Sequence, residues 1–189
     1  MRPSLPRKPD GMRNGSSNLA ARIAVLCLMS RSAFAAILLP WFVIGGLTKV
    51  GGLSMSMGPT VDGLPLALGA YYAYVPDQIG ALDMGLPSFD IVTQVYVGLM
   101  MLAEVALPVL IVLGLLTRFS VVLLVLHQII FLTLNASNAD FGAFFDASPF
   151  DMFPDQLLLW VMVMAPLALF GAGPLSVDDA LRRLKDRRG

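Results

Sequence analysis

Polar positions are scarce along most of this chain, and the apolar runs between them set its architecture. Four runs stand out: Ser32–Val50, Ile91–Leu116, Phe119–Asn135 and Gln156–Gly171. Each is near the ~20 residues that cross a bilayer as a helix, the third and fourth on the short side. The second and third are nearly continuous, from Ile91 to Leu134. As one helix that stretch would be roughly 66 Å long, about twice a ~30 Å hydrocarbon core. It must turn back, and Arg118, closing Gly114-Leu-Leu-Thr-Arg118, marks the bend. The pattern predicts an all-α membrane protein, a four-transmembrane-helix up-down bundle with a short C-terminal amphipathic helix.

Three segments follow from this pattern. Residues 1–30, rich in Pro, Gly, Ser and basic positions, are expected to be a cytoplasmic and largely disordered tail. Within them the apolar stretch Ile23–Met29, between Arg22 and Arg31, either lengthens the first helix or lies in the interface. The long charged leader, with no A-x-A site close behind the first apolar run, fits a signal-anchor better than a cleaved signal. Residues 31–175 form the membrane domain. In residues 176–189, Ser176-Val-Asp-Asp179 reads as an N-cap with acids in the first turn. Val177–Arg188 then reads as a basic amphipathic helix resting on the anionic inner leaflet.

Composition agrees. Hydrophobic residues make up 57% and charged residues 14% of the chain, and the mean hydropathy is +0.75; soluble domains carry about 25% charged residues. The one cysteine, Cys27, excludes an intramolecular disulfide and a dithiol relay. With a single histidine beside it, a His/Cys zinc site is disfavoured. Walker, dinucleotide and basic-aromatic patterns are absent, which argues against nucleotide and nucleic-acid chemistry.

The net charge is zero, yet twelve of the thirteen lysines and arginines fall before the first run, at the bend, or after the fourth run; Lys49 alone falls on the other side. The positive-inside rule then puts both termini of this multi-pass chain in the cytoplasm. The outer loops are acidic, with Asp62, Asp77, Asp83 and Asp90 in one and Asp140, Asp146, Asp151 and Asp155 in the other.

The candidate chemistry lies in the hairpin. Glu104 is about 20 Å and His127 about 14 Å from the bend at 1.5 Å per residue, so an antiparallel pairing brings them near one depth. They meet directly or through a water. A carboxylate in hydrocarbon needs a partner or a proton and faces the bundle interior. Pro108 frees the Glu104 carbonyl and kinks the helix, and Gln128 and Thr133 add polarity. Pro40 and Pro166 are the corresponding mid-span prolines. Glu104 and His127 are therefore the candidate catalytic residues, and with Gln128 the candidate cofactor-binding residues, for a proton-handling or quinone headgroup site. The competing reading is a structural clasp.

Arg118 is expected at lipid phosphates. Lys49 is expected to snorkel or to pair with an outer aspartate, since counting residues puts it about 15 Å from Glu104, too far up to reach it easily. Met55 and Met57 are thin candidates for a soft metal. The uncharged Leu64–Val75 reads as an interfacial helix or a lid, and the Phe/Asp-rich Asn138–Gln156 as an anchor or a partner-docking face.

Three stretches resemble the DoxX family of small four-span bacterial membrane proteins. They are Arg31 through Gly45-Gly46 to Lys49; Glu104 followed by Leu107–Arg118, "LPVLIVLGLLTR"; and Phe170–Asp179, "FGAGPLSVDD". The resemblance covers roughly Arg31 to Leu181 and is weak over Gly51–Asp90. It implies a four-helix membrane domain, found in a subunit of a quinone-linked oxidoreductase and in accessory components of redox or stress systems.

Three functions are carried forward. One is a non-catalytic accessory subunit or assembly partner of a redox or stress-response system, docking a membrane or periplasmic protein through residues 51–90 and 136–155. Another is a quinone-interacting oxidoreductase subunit using Glu104 and His127. The last is a small-molecule or metal permease acting as a homo-oligomer.

Overall fold

Asp10–Ala33 (α1) opens the chain, and a π-helical turn, Phe34–Leu38, joins it to Leu39–Leu47 (α2). The later elements are Leu68–Tyr74 (α3), Pro76–Gly80 (α4), Ile91–Leu113 (α5), Thr117–Asn135 (α6), Pro154–Phe170 (α7) and Val177–Asp186 (α8). These come from a computed structural model, which describes residues 10–61, 63–80, 88–135 and 154–187. Three helical stretches, Ser17–Leu47, Ile91–Leu113 and Thr117–Asn135, are long and apolar enough to cross a membrane by length and composition. α7 is apolar but shorter, at 17 residues.

The helices close a ring: α1 packs on α7, α2 on α5, α5 on α6, and α6 on α7. Gly114 ends α5 in the left-handed conformation at φ 71°, and the Leu115 N–H reaches back to the Leu110 carbonyl at 3.0 Å. This is a Schellman stop, which favours glycine. α6 restarts three residues later, so the expected bend is confirmed, with Arg118 in the first turn of α6.

Residues 10–30 depart from expectation. They were read as part of a disordered tail, yet the helix begins at Asp10 and Cys27 is fully buried. The stretch Ile23–Met29 lengthens the first helix because its Cys27 side packs with Phe34 and Leu167 in the core.

The π turn has a visible use. Inward positions along the first helix are Cys27, Arg31, Phe34, Leu38, Phe42, Gly46 and Lys49. From Phe34 to Gly46 they recur every four residues, wider than the 3.6 of an α-helix. One extra residue per turn keeps a single face inward, and Pro40 follows directly.

Two apolar clusters result. The first, around Cys27, Phe34, Phe42, Ile111, Leu124 and Leu167, fills the ring between the helices. The second joins Val61, Leu66, Ala70, Tyr71 and Tyr74 to Val97 of α5, with Met100 and Phe131 against it. It is a cap. The segment after α2 folds back through two isolated antiparallel bridges, Val50 to Leu66 and Thr60 to Ala67, and seats α3 on α5 and α6. The Leu64–Val75 segment thus covers the bundle, with Tyr71 stacked on Phe89 at 4.1 Å. Nearly all of Asn138–Gln156, read as an anchor or docking face, lies outside the described residues.

Candidate functional site

The polar side chains meet where the cap rests on the ring. Lys49 follows α2, Tyr74 ends α3, Glu104 lies mid-way along α5 and His127 mid-way along α6; all four are buried. Lys49 Nζ donates to Glu104 Oε1 at 2.8 Å and to Oε2 at 2.7 Å, and to the Gly45 carbonyl at 3.2 Å. The Tyr74 hydroxyl donates to Glu104 Oε2 at 2.5 Å and lies 3.5 Å from His127 Nε2. Lys49 also sits 5.6 Å from the Tyr74 ring centre, within cation–π range.

This corrects two expectations. Lys49 neither snorkels nor pairs with an outer aspartate; it pairs with Glu104. The distance count failed because α5 rises several turns above the end of α2, and the cap fills that height. Glu104 and His127 do share a depth, and the Tyr74 hydroxyl lies between them in place of a direct contact.

The network assigns the histidine tautomer. Nε2 lies 3.2 Å from the Met100 carbonyl, which only accepts, so Nε2 carries the proton. Nδ1 then accepts from Gln128 Nε2 at 3.4 Å. Burial first, then the Glu104 charge and the hydrogen bond to it, hold the Tyr74 phenol above its ordinary range. Gly45 makes the approach possible: a β-carbon there would lie 3.1 Å from Glu104 Oε1.

Beside the network is a cavity of about 270 Å³. Lys49, Glu104, His127 and Gln128 supply its polar side. Trp41, Phe42, Phe131 and Trp160 supply aromatic walls, and Thr48, Met57 and Gln156 also line it. Trp160 meets Phe42 edge-on at 5.5 Å and Trp41 at 6.2 Å. The arrangement suits a small ring with polar atoms on one edge: apolar walls to hold it and convergent donors and acceptors to orient it.

Of the residues singled out from sequence, Glu104, His127 and Gln128 come together. Thr133 does not join them; its hydroxyl bonds the Ile130 carbonyl of its own helix. Met57 borders the cavity, whereas Met55 is exposed and does not. Among the described residues no group of three or more His, Cys, Asp or Glu side chains is placed to hold a metal. Sequence reasoning missed Lys49 as the partner of Glu104, and it missed Tyr74, Trp41 and Trp160. The uncharged "GAYYAY" run was the available signal for Tyr74.

At the opposite end, Arg31 is buried and donates to the carbonyls of Ala172 at 3.2 Å, Pro174 at 3.4 Å and Leu175 at 2.9 Å. Asp178 accepts from the Leu116 and Thr117 N–H groups at 3.0 and 3.4 Å, while its own N–H reaches the Gly114 carbonyl at 3.0 Å. Ser176 caps α8 as expected, accepting from the Asp179 N–H at 3.1 Å. Arg31, the α5–α6 turn and the Ala172–Asp179 segment thus meet at this end of the ring, while Lys49 and Glu104 join α2 to α5 at the other. Comparison with family models, with curated proteins and with solved structures returned no match.

Proposed function

We propose that this chain is a four-span protein of a bacterial inner membrane, with both termini cytoplasmic, that serves a redox or stress-response system as a quinone-binding accessory subunit. The observation that carries this reading is the cavity walled by Trp41 and Trp160 above Lys49, Glu104, His127 and Gln128. A quinone ring is planar and apolar on its faces, with carbonyl oxygens at its edge. Indole and phenyl walls match the faces; the Gln128 amide has a second N–H to donate to an oxygen, and the Lys49 ammonium places positive charge at the cavity edge. At about 270 Å³ the cavity holds a headgroup and leaves an isoprenoid tail to the surrounding lipid. Trp41 is 60% exposed, so the cavity has a border toward the apolar surroundings.

The role is binding and placement. The ion pair and the Gln128 amide hold a ring in one orientation for a partner that carries electrons. The fourth span is α7 with its flanking residues, and the concentration of basic residues at the α8 end supports the orientation.

The test is purification in mild detergent followed by extraction and mass spectrometry of bound quinone. Stoichiometric quinone is expected, strongly reduced in Lys49→Met and in Trp160→Ala. Quinone absent from wild-type protein that co-purifies with a stable protein partner would overturn the binding role and leave the assembly-partner reading.

A further inference from the structure

A second, larger cavity of about 570 Å³ lies at the α8 end, far along the ring from the Glu104 network. It is bounded by the first turn of α6, the end of α7 and the first turn of α8. Two arginines line it, Arg118 and Arg182, and among the described residues neither has an ion-pair or hydrogen-bond partner. The acids beside them are already engaged. Asp178 caps the start of α6, and Asp179 pairs with Arg183 at 2.7 Å. Arg118, Arg182 and Arg183 against Asp178 and Asp179 leave a local excess of one positive charge in a concave site, with the Arg118 and Arg182 guanidinium groups uncommitted. Arg118 Nε lies 3.6 Å from where a β-carbon on Gly171 would sit, so that glycine leaves space beside the guanidinium. Thr117 lines the same cavity; it is buried, and its hydroxyl has no hydrogen-bond partner among the described residues.

Next to this charge the surface turns apolar. Phe119 is 62% and Phe170 46% exposed, and both border the cavity. Leu181 and Leu184 of α8 are exposed as well. Charge and hydrocarbon meet at one edge, as they do in a phospholipid below its headgroup.

We propose that this cavity is a phosphate-binding site, with Arg118 and Arg182 sharing one phosphate group. Guanidinium forks match phosphate oxygens and give charge-assisted hydrogen bonds. The volume exceeds what a bare phosphate needs and accommodates a headgroup with its glycerol. The exposed phenylalanines then lie along the first acyl carbons. The phosphate of a phospholipid and a free phosphate share this chemistry, and the experiment separates them.

The full-length protein in detergent is titrated separately with phosphatidylglycerol, with diacylglycerol lacking the phosphate, and with inorganic phosphate, and bound species are counted by native mass spectrometry. Variants are Arg118→Gln/Arg182→Gln, the charge reversal Arg182→Glu, and Arg187→Gln, at the C-cap of α8 and outside the cavity, as a control. A saturable phosphatidylglycerol adduct is expected, at least roughly tenfold weaker in the double variant and unchanged in the control, with diacylglycerol failing to bind. Inorganic phosphate binding with the same arginine dependence, without the lipid, would keep the site and assign it to a free phosphate. Binding of phosphatidylglycerol and diacylglycerol alike, adducts insensitive to both arginine variants, or no saturable adduct at all would overturn the proposal. Both arginines are exposed and unpaired, so the helical circular dichroism of the variants is expected to match wild type.

Discussion

At the residue scale the central fact is an ion pair held away from water. Removing one member of a buried pair strands the other, at about 3–5 kcal/mol, whereas replacing both with apolar side chains is often close to neutral. Lys49→Met and Glu104→Leu are each expected to lower the thermal midpoint in detergent substantially, and the double variant to recover most of the loss. Additive losses in that cycle would mean the two side chains act independently. Tyr74 gives a pH signature. Its phenol is raised in the folded state, so its contribution is fully present below pH ~10 and is lost as pH climbs above that value. Burial raises the Tyr71 phenol as well, so an ultraviolet titration should show two tyrosines that ionise only as the protein unfolds, and that late step should be smaller by one residue in Tyr74→Phe. A Tyr74→Phe curve superimposable on wild type would remove the phenol from the network.

At the element scale, α2 and α5 meet through glycine. A β-carbon on Gly46 would collide with Val105 Cγ2, and Gly45 leaves only the space Glu104 occupies. Overpacking of this kind costs about 1–3 kcal/mol. Gly46→Leu should therefore spread the two helices and weaken the Lys49–Glu104 pair together with the aromatic cavity. Its check is quinone retention beside thermal stability, both of which should fall. The turn between α5 and α6 is similarly crowded: a β-carbon on Gly114 would lie 2.5 Å from Ser176 Cβ and 2.9 Å from an Arg31 nitrogen. A compact turn there lets α8 dock through Asp178.

At the scale of the whole molecule, orientation is open to direct measurement. Cys27 is buried, so the chain has a low thiol background. A cysteine at Ser54, in the cap, should react with an impermeant reagent applied to intact cells, and one at Arg187 should not. The reverse pattern would invert the topology. The helical hairpin was legible in sequence because a 44-residue apolar run has to fold back and its one arginine, Arg118, marks where. Glu104, His127 and Gln128 were legible because ionisable and amide groups are rare in hydrocarbon. Lys49 was misjudged because counting depth from span ends assumes spans of equal height. Here α5 stands taller than α2. Tyr74 and the tryptophans were missed for a related reason. Aromatic residues near a membrane surface read as belt residues, and nothing local distinguishes one that a cap turns inward.

That inward turn bears on how the protein is made. Tyr74 belongs to a segment translated before α5 and α6, yet the cap packs on both of them. Lys49 likewise leaves the ribosome 55 residues ahead of its carboxylate. The cap is thus synthesised early and seated late, once both later helices are in the bilayer. Until then the lysine has only water and headgroups for company. Assembly therefore includes a late step in which a short hydrophilic-side segment closes over the membrane interior and seals one proton-rich junction between itself and three helices.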